Sequence, residues 1–182
     1  MKITPLLNLL AAAAIAAICP PANAEEAPKV GDKAPEVSGK DQDGKDVDLA
    51  KLYGEGPVFV FFYPKADTSG CTKQACSLRD NYESLTKLGV TVVGVSMDKQ
   101  DDQKAFHTKH GFPYSLIADH EGKVVKAFGV PELRPGICAR QAFIIKDGKI
   151  AWHDAKGATS TQGEEALKAL DDLGVKAAEK KE

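Results

Sequence analysis

The chain has 182 residues, with 24 basic against 26 acidic side chains, a formal net charge of −2 and four cysteines. That balance offers no basic excess to hold nucleic acid or an anionic membrane. The length suits one domain that buries a core without metal or disulfide staples.

The first 24 residues read as a cleavable secretory signal. Lys2 gives a positive start, residues 5–18 are almost wholly apolar, and Pro20 and Pro21 break the run before the small residues of Ala22-Asn23-Ala24. The apolar stretch is shorter than the roughly 20 residues that span a bilayer. Ile18 before Cys19 is unlike the small residue that precedes a lipidated cysteine. Cleavage after Ala24 leaves residues 25–182 as one soluble domain, exported to the periplasm, with 23 basic and 26 acidic residues. Cys71, Cys76 and Cys138 survive in it. An odd count in an exported protein argues against a purely structural disulfide framework.

Residues 25–31 form a short, loose charged leader. Residues 35–49 read as a hairpin turning at Asp43-Gly44. Residues 57–63 are apolar without alternation, which predicts a strand buried on both faces and central in a sheet. A loop over 64–70 leads into a helix over 71–88, with Leu78, Tyr82, Leu85 and Leu88 as its apolar stripe. Residues 91–96 make a second buried strand, and 99–110 a polar helix N-capped by Asp98. A strand over 115–118, a short helix over 123–128, and a hairpin over 141–146 and 149–154 follow. Thr161 and Glu164 are spaced as a capping box that opens a helix to about residue 173. Residues 176–182 are a charged, fraying tail. This alternation, closed by an antiparallel hairpin and a helix, predicts an α/β fold with a mixed central sheet and helices on both faces. Thioredoxin-like folds have this order.

The chemistry concentrates where the first buried strand ends, the edge at which open α/β sheets bind ligands. Cys71 falls at the start of the long helix, where free backbone N–H groups and the dipole favour an anion. A thiolate is such an anion, and it is the nucleophilic form of cysteine. The plain alternative is a small buried residue, but Gly70, Thr68 and Cys76 surround Cys71 in the sequence. On an intact helix, residues i and i+5 have Cα atoms roughly 8.7 Å apart, whereas a disulfide wants about 4.4–6.8 Å. Either Cys71 and Cys76 never bond, or the first turns unwind when they do. Unwinding suits a cycle in which a thiolate attacks a peroxide, becomes a sulfenic acid and is trapped as a disulfide. A disulfide reductase is a rival, although those usually carry Cys-x-x-Cys. A zinc half-site is another, without a second ligand pair at the required spacing.

These residues resemble the peroxiredoxins, and in particular the branch called bacterioferritin comigratory protein or peroxiredoxin Q. The family pattern Pro-x-x-x-Thr-x-x-Cys stands here as Pro64, Thr68 and Cys71, and the branch's extended motif runs from Gly70 to Asp80. The resemblance covers nearly all of residues 31–150. It implies Cys71 as the peroxidatic cysteine and Cys76 as the resolving one. Thr68 would contact peroxide and thiolate, Pro64 would shield the site, and Tyr63 would pack in its wall. Arg140, just before a late strand, matches the family's site arginine; Arg134 is a decoy in a less matched loop. Two departures stand out: Ser69 where the branch usually has proline, and Cys138, either an idle thiol or an alternative resolving partner.

His107, His110, His120 and His153 read as lone surface histidines. Sulfur alone reduces peroxide in such a cycle, so no haem, flavin or metal is implied. The implied partners are hydrogen peroxide or an organic hydroperoxide and a periplasmic thioredoxin-like electron donor. An intramolecular resolving pair favours a monomer. A thioredoxin-like disulfide reductase and a non-catalytic redox sensor remain the competing readings.

Overall fold

The computed structural model describes residues 27–177; the signal segment and the end of the tail lie outside the described residues. The leader is tied down where it meets the domain, since Gly31 N donates to Ile150 O at 2.8 Å. Strands β1 (Ser38–Lys40) and β2 (Asp46–Asp48) pair antiparallel. Asp41 holds their turn, its carboxylate accepting from Asp43 N at 2.8 Å and Lys45 N at 2.9 Å. A helix absent from the sequence reading follows, α1 (Leu49–Glu55), capped by Asp48 accepting from Lys51 N. Its signal was present: an Asp cap, then Leu49, Leu52 and Tyr53 at helical spacing.

Strand β3 (Val58–Phe62) is buried at every position, as its unbroken apolar run predicts. The helix expected over 71–88 is two, α2 (Ser69–Asp80) and α3 (Tyr82–Lys87), broken at Asn81 with φ −100° and ψ 4°. Asn81 Nδ2 donates to Ser77 O at 2.9 Å and shares that carbonyl with Asn81 N, whose own bond to it is long at 3.3 Å. Strand β4 (Thr91–Ser96), helix α4 (Gln100–His110), strand β5 (Ser115–Ala118) and helix α5 (Lys123–Ala127) come next. A small ribbon, β6 (Glu132–Arg134) with β7 (Ile137–Cys138), occupies what read as loop. Strands β8 (Gln141–Lys146) and β9 (Lys149–Asp154) form the expected hairpin, and α6 (Gln162–Asp172) closes the domain. The capping box does not form at α6. Thr161 Oγ1 instead donates to Glu165 Oε1 at 2.8 Å.

The five-stranded sheet has the order β5-β4-β3-β8-β9, parallel from β3 to β5 and antiparallel through β8 and β9. This is the α/β, thioredoxin-like architecture with a mixed central sheet. Successive β3 side chains point to opposite faces, so Val58, Val60 and Phe62 join one core layer with Val95, Phe128 and Phe143. Phe59, Phe61 and Tyr63 join the other with Cys71, Leu78, Phe106 and Leu170. Each large side chain so buried contributes about 1.5–3 kcal/mol. Helices α2 and α6 approach closely because Gly163 lacks a side chain: a Cβ there would stand 2.4 Å from Ser77 O. Gly163 N donates to Ser77 Oγ at 3.0 Å, locking that contact. No helix among the described residues is long and apolar enough to cross a membrane.

Candidate active site

The β3–β8 register pairs Phe62 with Gln141. It therefore sets Arg140 beside the end of β3, where the chain turns into the loop before α2. Pro64 follows Tyr63 in that turn, fixing φ and donating no hydrogen bond. Tyr63 is fully buried, stacked on Phe61 at 5.6 Å, and its hydroxyl donates to Gln103 Oε1.

The loop is fastened to the end of β4 by Asp98. Its carboxylate accepts from Ala66 N at 2.7 Å, Lys65 Nζ at 2.8 Å and Ser96 Oγ at 2.7 Å. The expected N-cap on α4 is therefore absent: the Asp98 carboxylate is engaged across the loop, and Lys99 occupies the cap position. Asp67, at φ 56°, pairs outward with Lys109 at 2.6 Å and His110 at 3.0 Å. His110 is thus not a lone histidine. Nor is His153, which stacks on Phe143 at 4.2 Å, meets Gln141 Oε1 at 2.9 Å, and is held below the usual histidine pKa by burial.

Thr68 stands at the N-cap position of α2, with its hydroxyl donating to Lys65 O at 2.9 Å. Three residues on, Cys71 is 1 % exposed. Its Sγ accepts a hydrogen bond from Arg140 Nη2 at 3.3 Å. Arg140 Nη1 donates to Gln74 Oε1, and Gln74 Nε2 donates to Gln162 Oε1 at 2.9 Å. Cys71, Arg140, Gln74 and Gln162 thus form one chain of hydrogen bonds from α2 to the start of α6, half-buried at Arg140 and buried at the two glutamines. The guanidinium fork addresses a thiol with one nitrogen and a fixed amide with the other. The sequence reading missed both glutamines. Gln74 was legible as the residue one turn beyond Cys71, whereas Gln162 is brought in from 88 residues away with no local sign of its role.

Cys71, Cys76 and Cys138 are all free thiols. Cys71 and Cys76 share the unbroken helix Ser69–Asp80, at a spacing that a disulfide cannot bridge. Cys138 lies in the other core layer, its thiol donating to Tyr63 O at 3.3 Å, with burial pushing its pKa up to about 12. It stays protonated through the physiological range. Wild-type Cys138 should resist alkylation at pH 8 until the protein is denatured. Peptide mapping after alkylation checks this. Arg134 is exposed on β6 and takes no part in the cluster. Among the described residues no group of His, Cys, Asp or Glu could hold a metal ion. A groove of about 590 Å³ is lined by Asp41, Asp48, Tyr82, Phe112 and Tyr114 and includes none of the site residues.

The AhpC/TSA family pattern matches residues 30–153, about two thirds of the chain. The chain belongs to the AhpC/TSA family. It is 46 % identical over 116 residues to a chloroplastic peroxiredoxin Q of Suaeda salsa, covering 63 % of this chain and 54 % of that protein. The chain spans about half the length of the curated relatives it matches. Among solved structures, the peroxidoxin BcpB of Mycobacterium tuberculosis is 32 % identical with a TM-score of 0.75, covering 80 % of this chain and 98 % of that one. A cysteine-to-serine mutant of Xylella fastidiosa PrxQ superposes with a TM-score of 0.75 at 22 % identity, covering 81 % and 98 %, a likeness of fold alone. The family therefore matches the one to which Pro64, Thr68 and Cys71 pointed.

Proposed function

We propose that this chain is a thiol-dependent peroxidase, with Cys71 as the attacking thiolate and Cys76 as its resolving partner. The carrying observation is the Cys71 sulfur at the start of α2, nearly inaccessible and hydrogen-bonded to the Arg140 guanidinium. Helix N–H groups and guanidinium together favour negative charge on sulfur, and then on the departing oxygen. The thiolate attacks the distal peroxide oxygen and the O–O bond breaks. Cys71 becomes a sulfenic acid, and the remaining alkoxide or hydroxide takes a proton. The Thr68 hydroxyl donates to Lys65 O and keeps lone pairs with which to accept a hydrogen bond from the peroxide. Pro64 adds no competing donor at the pocket wall. The Cys76 sulfur then attacks the sulfenic sulfur, forming the disulfide and releasing water. A dithiol donor of thioredoxin type restores both thiols by exchange. Hydrogen peroxide and organic hydroperoxides both fit this chemistry, and resolution within one chain supports a monomer.

Export through residues 1–24 belongs to the same proposal. The segment has one lysine and neither arginine nor serine, unlike the Arg- and Ser-rich transit peptides of plastids. A periplasmic enzyme would take electrons from a thioredoxin-like protein of that compartment. Mass spectrometry tests both halves. Protein recovered from cells should begin at Glu25, and one equivalent of peroxide should yield a Cys71–Cys76 bridge. Three unreacted thiols would reject the peroxidase, a Cys71–Cys138 bridge would reassign the resolving role, and an intact N-terminus would reject cleavage.

A further inference from the structure

Arg140 reaches Cys71 between two glycines. A Cβ built at Gly70 would stand 3.2 Å from Arg140 Nη2 and 3.9 Å from Thr159 Cγ2. At Gly157 it would stand 2.4 Å from Arg140 Cγ and 3.0 Å from the Arg140 carbonyl carbon. The first contact meets the free end of a side chain, which can give. The second meets the root of the side chain and the main chain of a residue anchored beside β8, which cannot.

The turn carrying Gly157 is itself pinned. The two carboxylate oxygens of Asp154 accept from Lys156 N at 3.0 Å and Ala158 N at 3.1 Å, the amides on either side of Gly157. Asp154 is the last residue of β9 and pairs with Ala142, two residues beyond Arg140. One strand pair therefore carries both the arginine and the loop behind it. Gly157 has φ +60°, a conformation that glycine adopts freely and that side chains resist.

We propose that the Asp154–Gly157 turn is a backbone buttress that seats the Arg140 side chain on Cys71, making Gly157 and Asp154 positioning residues. The proposal rests on the reading of Cys71 and Arg140 given above. An unsupported arginine samples many rotamers. A wall against Cγ removes most of them before a peroxide arrives, so the guanidinium is in place when charge develops.

The test uses the full domain with Cys71 as its only thiol, through Cys76→Ser and Cys138→Ser, and follows sulfenic acid formation with hydrogen peroxide. Gly157→Ala is expected to slow that step about 10- to 100-fold. Asp154→Ala, which frees the turn without adding bulk, should slow it less. Gly136→Ala is the control for backbone strain, with φ +76° and open space around its Cβ, and should stay within about twofold. Both losses should disappear against an Arg140→Ala background, where no side chain remains to be seated. Gly157→Ala should also displace the pH profile of Cys71 alkylation in the same direction as Arg140→Ala. A Gly157→Ala rate equal to that of Gly136→Ala, or a loss undiminished without Arg140, overturns the buttress. Should Gly157→Ala fail to fold, Asp154→Ala decides in the same two backgrounds. An Arg140→Ala rate equal to wild type would instead overturn the role of Arg140, and the buttress with it.

Discussion

Cys71→Ser is expected to reduce peroxide consumption by more than about a thousandfold while leaving circular dichroism and melting temperature nearly unchanged. Serine fills the same buried space, but its hydroxyl does not ionise, and the guanidinium beside it has no anion to hold. Cys76→Ser should behave differently. It should consume one equivalent of peroxide at the wild-type rate without further turnover, and in excess oxidant a second, slower equivalent should carry Cys71 from sulfenic to sulfinic acid. Stopped-flow peroxide consumption and intact mass together distinguish the two. Sustained turnover by Cys71→Ser would remove the thiolate mechanism, and sustained turnover by Cys76→Ser would remove the resolving assignment. The wild-type protein should lose helix on oxidation, because the two sulfurs cannot meet across an intact α2. Opening must fall before Ala75: its carbonyl accepts from Tyr114 OH at 2.7 Å, and Ser77 is held by Gly163 N at 3.0 Å. The moving part is then the first turn and a half, which releases the Gln74–Gln162 hydrogen bond at about 0.5–1.5 kcal/mol. Backbone amide signals of residues 69–74 should shift most between reduced and oxidised protein.

The central sheet was legible because its information is local. The unbroken apolar run of β3 could only be satisfied with a helix layer on each side, and Asp43-Gly44 and Asp147-Gly148 announced their turns directly. The position of Cys71, which the proposal makes the nucleophile, was legible for a similar reason, since a strand-to-helix junction shows in the local sequence. What failed was the bookkeeping of polar side chains that have two available partners. Asp98 could cap α4 or hold the Ala66 amide, and the fold presents the amide. Thr161 could bond the backbone or Glu165, and it bonds Glu165. The Asn81 side chain could face solvent or share the Ser77 carbonyl with its own amide, and it shares it at the point where one expected helix divides in two. Gln162 and Gly157 were beyond reach for another reason. Each acts on Arg140 or its partner only after β8, β9 and α6 have been folded back onto α2, and neither carries a local pattern.

The cluster around Arg140 makes the second large expectation concrete. Arg140→Ala should slow the first reaction with peroxide about 10²- to 10³-fold, the loss typical when one aimed donor is taken from a developing oxyanion. Stability should fall as well, because Gln74 is 0 % exposed and its Oε1 would lose its donor, a cost of about 1–3 kcal/mol. The two effects separate by measurement: the rate is taken far below the melting temperature, where the variant is folded, and the stability by denaturant titration. Arg140→Lys supplies the discriminating case. Its ammonium restores a positive charge near Cys71 but cannot bond sulfur and Gln74 with a rigid fork. It should therefore recover part of the rate and little of the stability. Full recovery by lysine would mean that charge alone matters at this position; recovery by neither would leave the guanidinium geometry as the decisive property, which is the property that Gln74 on one side and the Gly157 turn on the other are placed to fix.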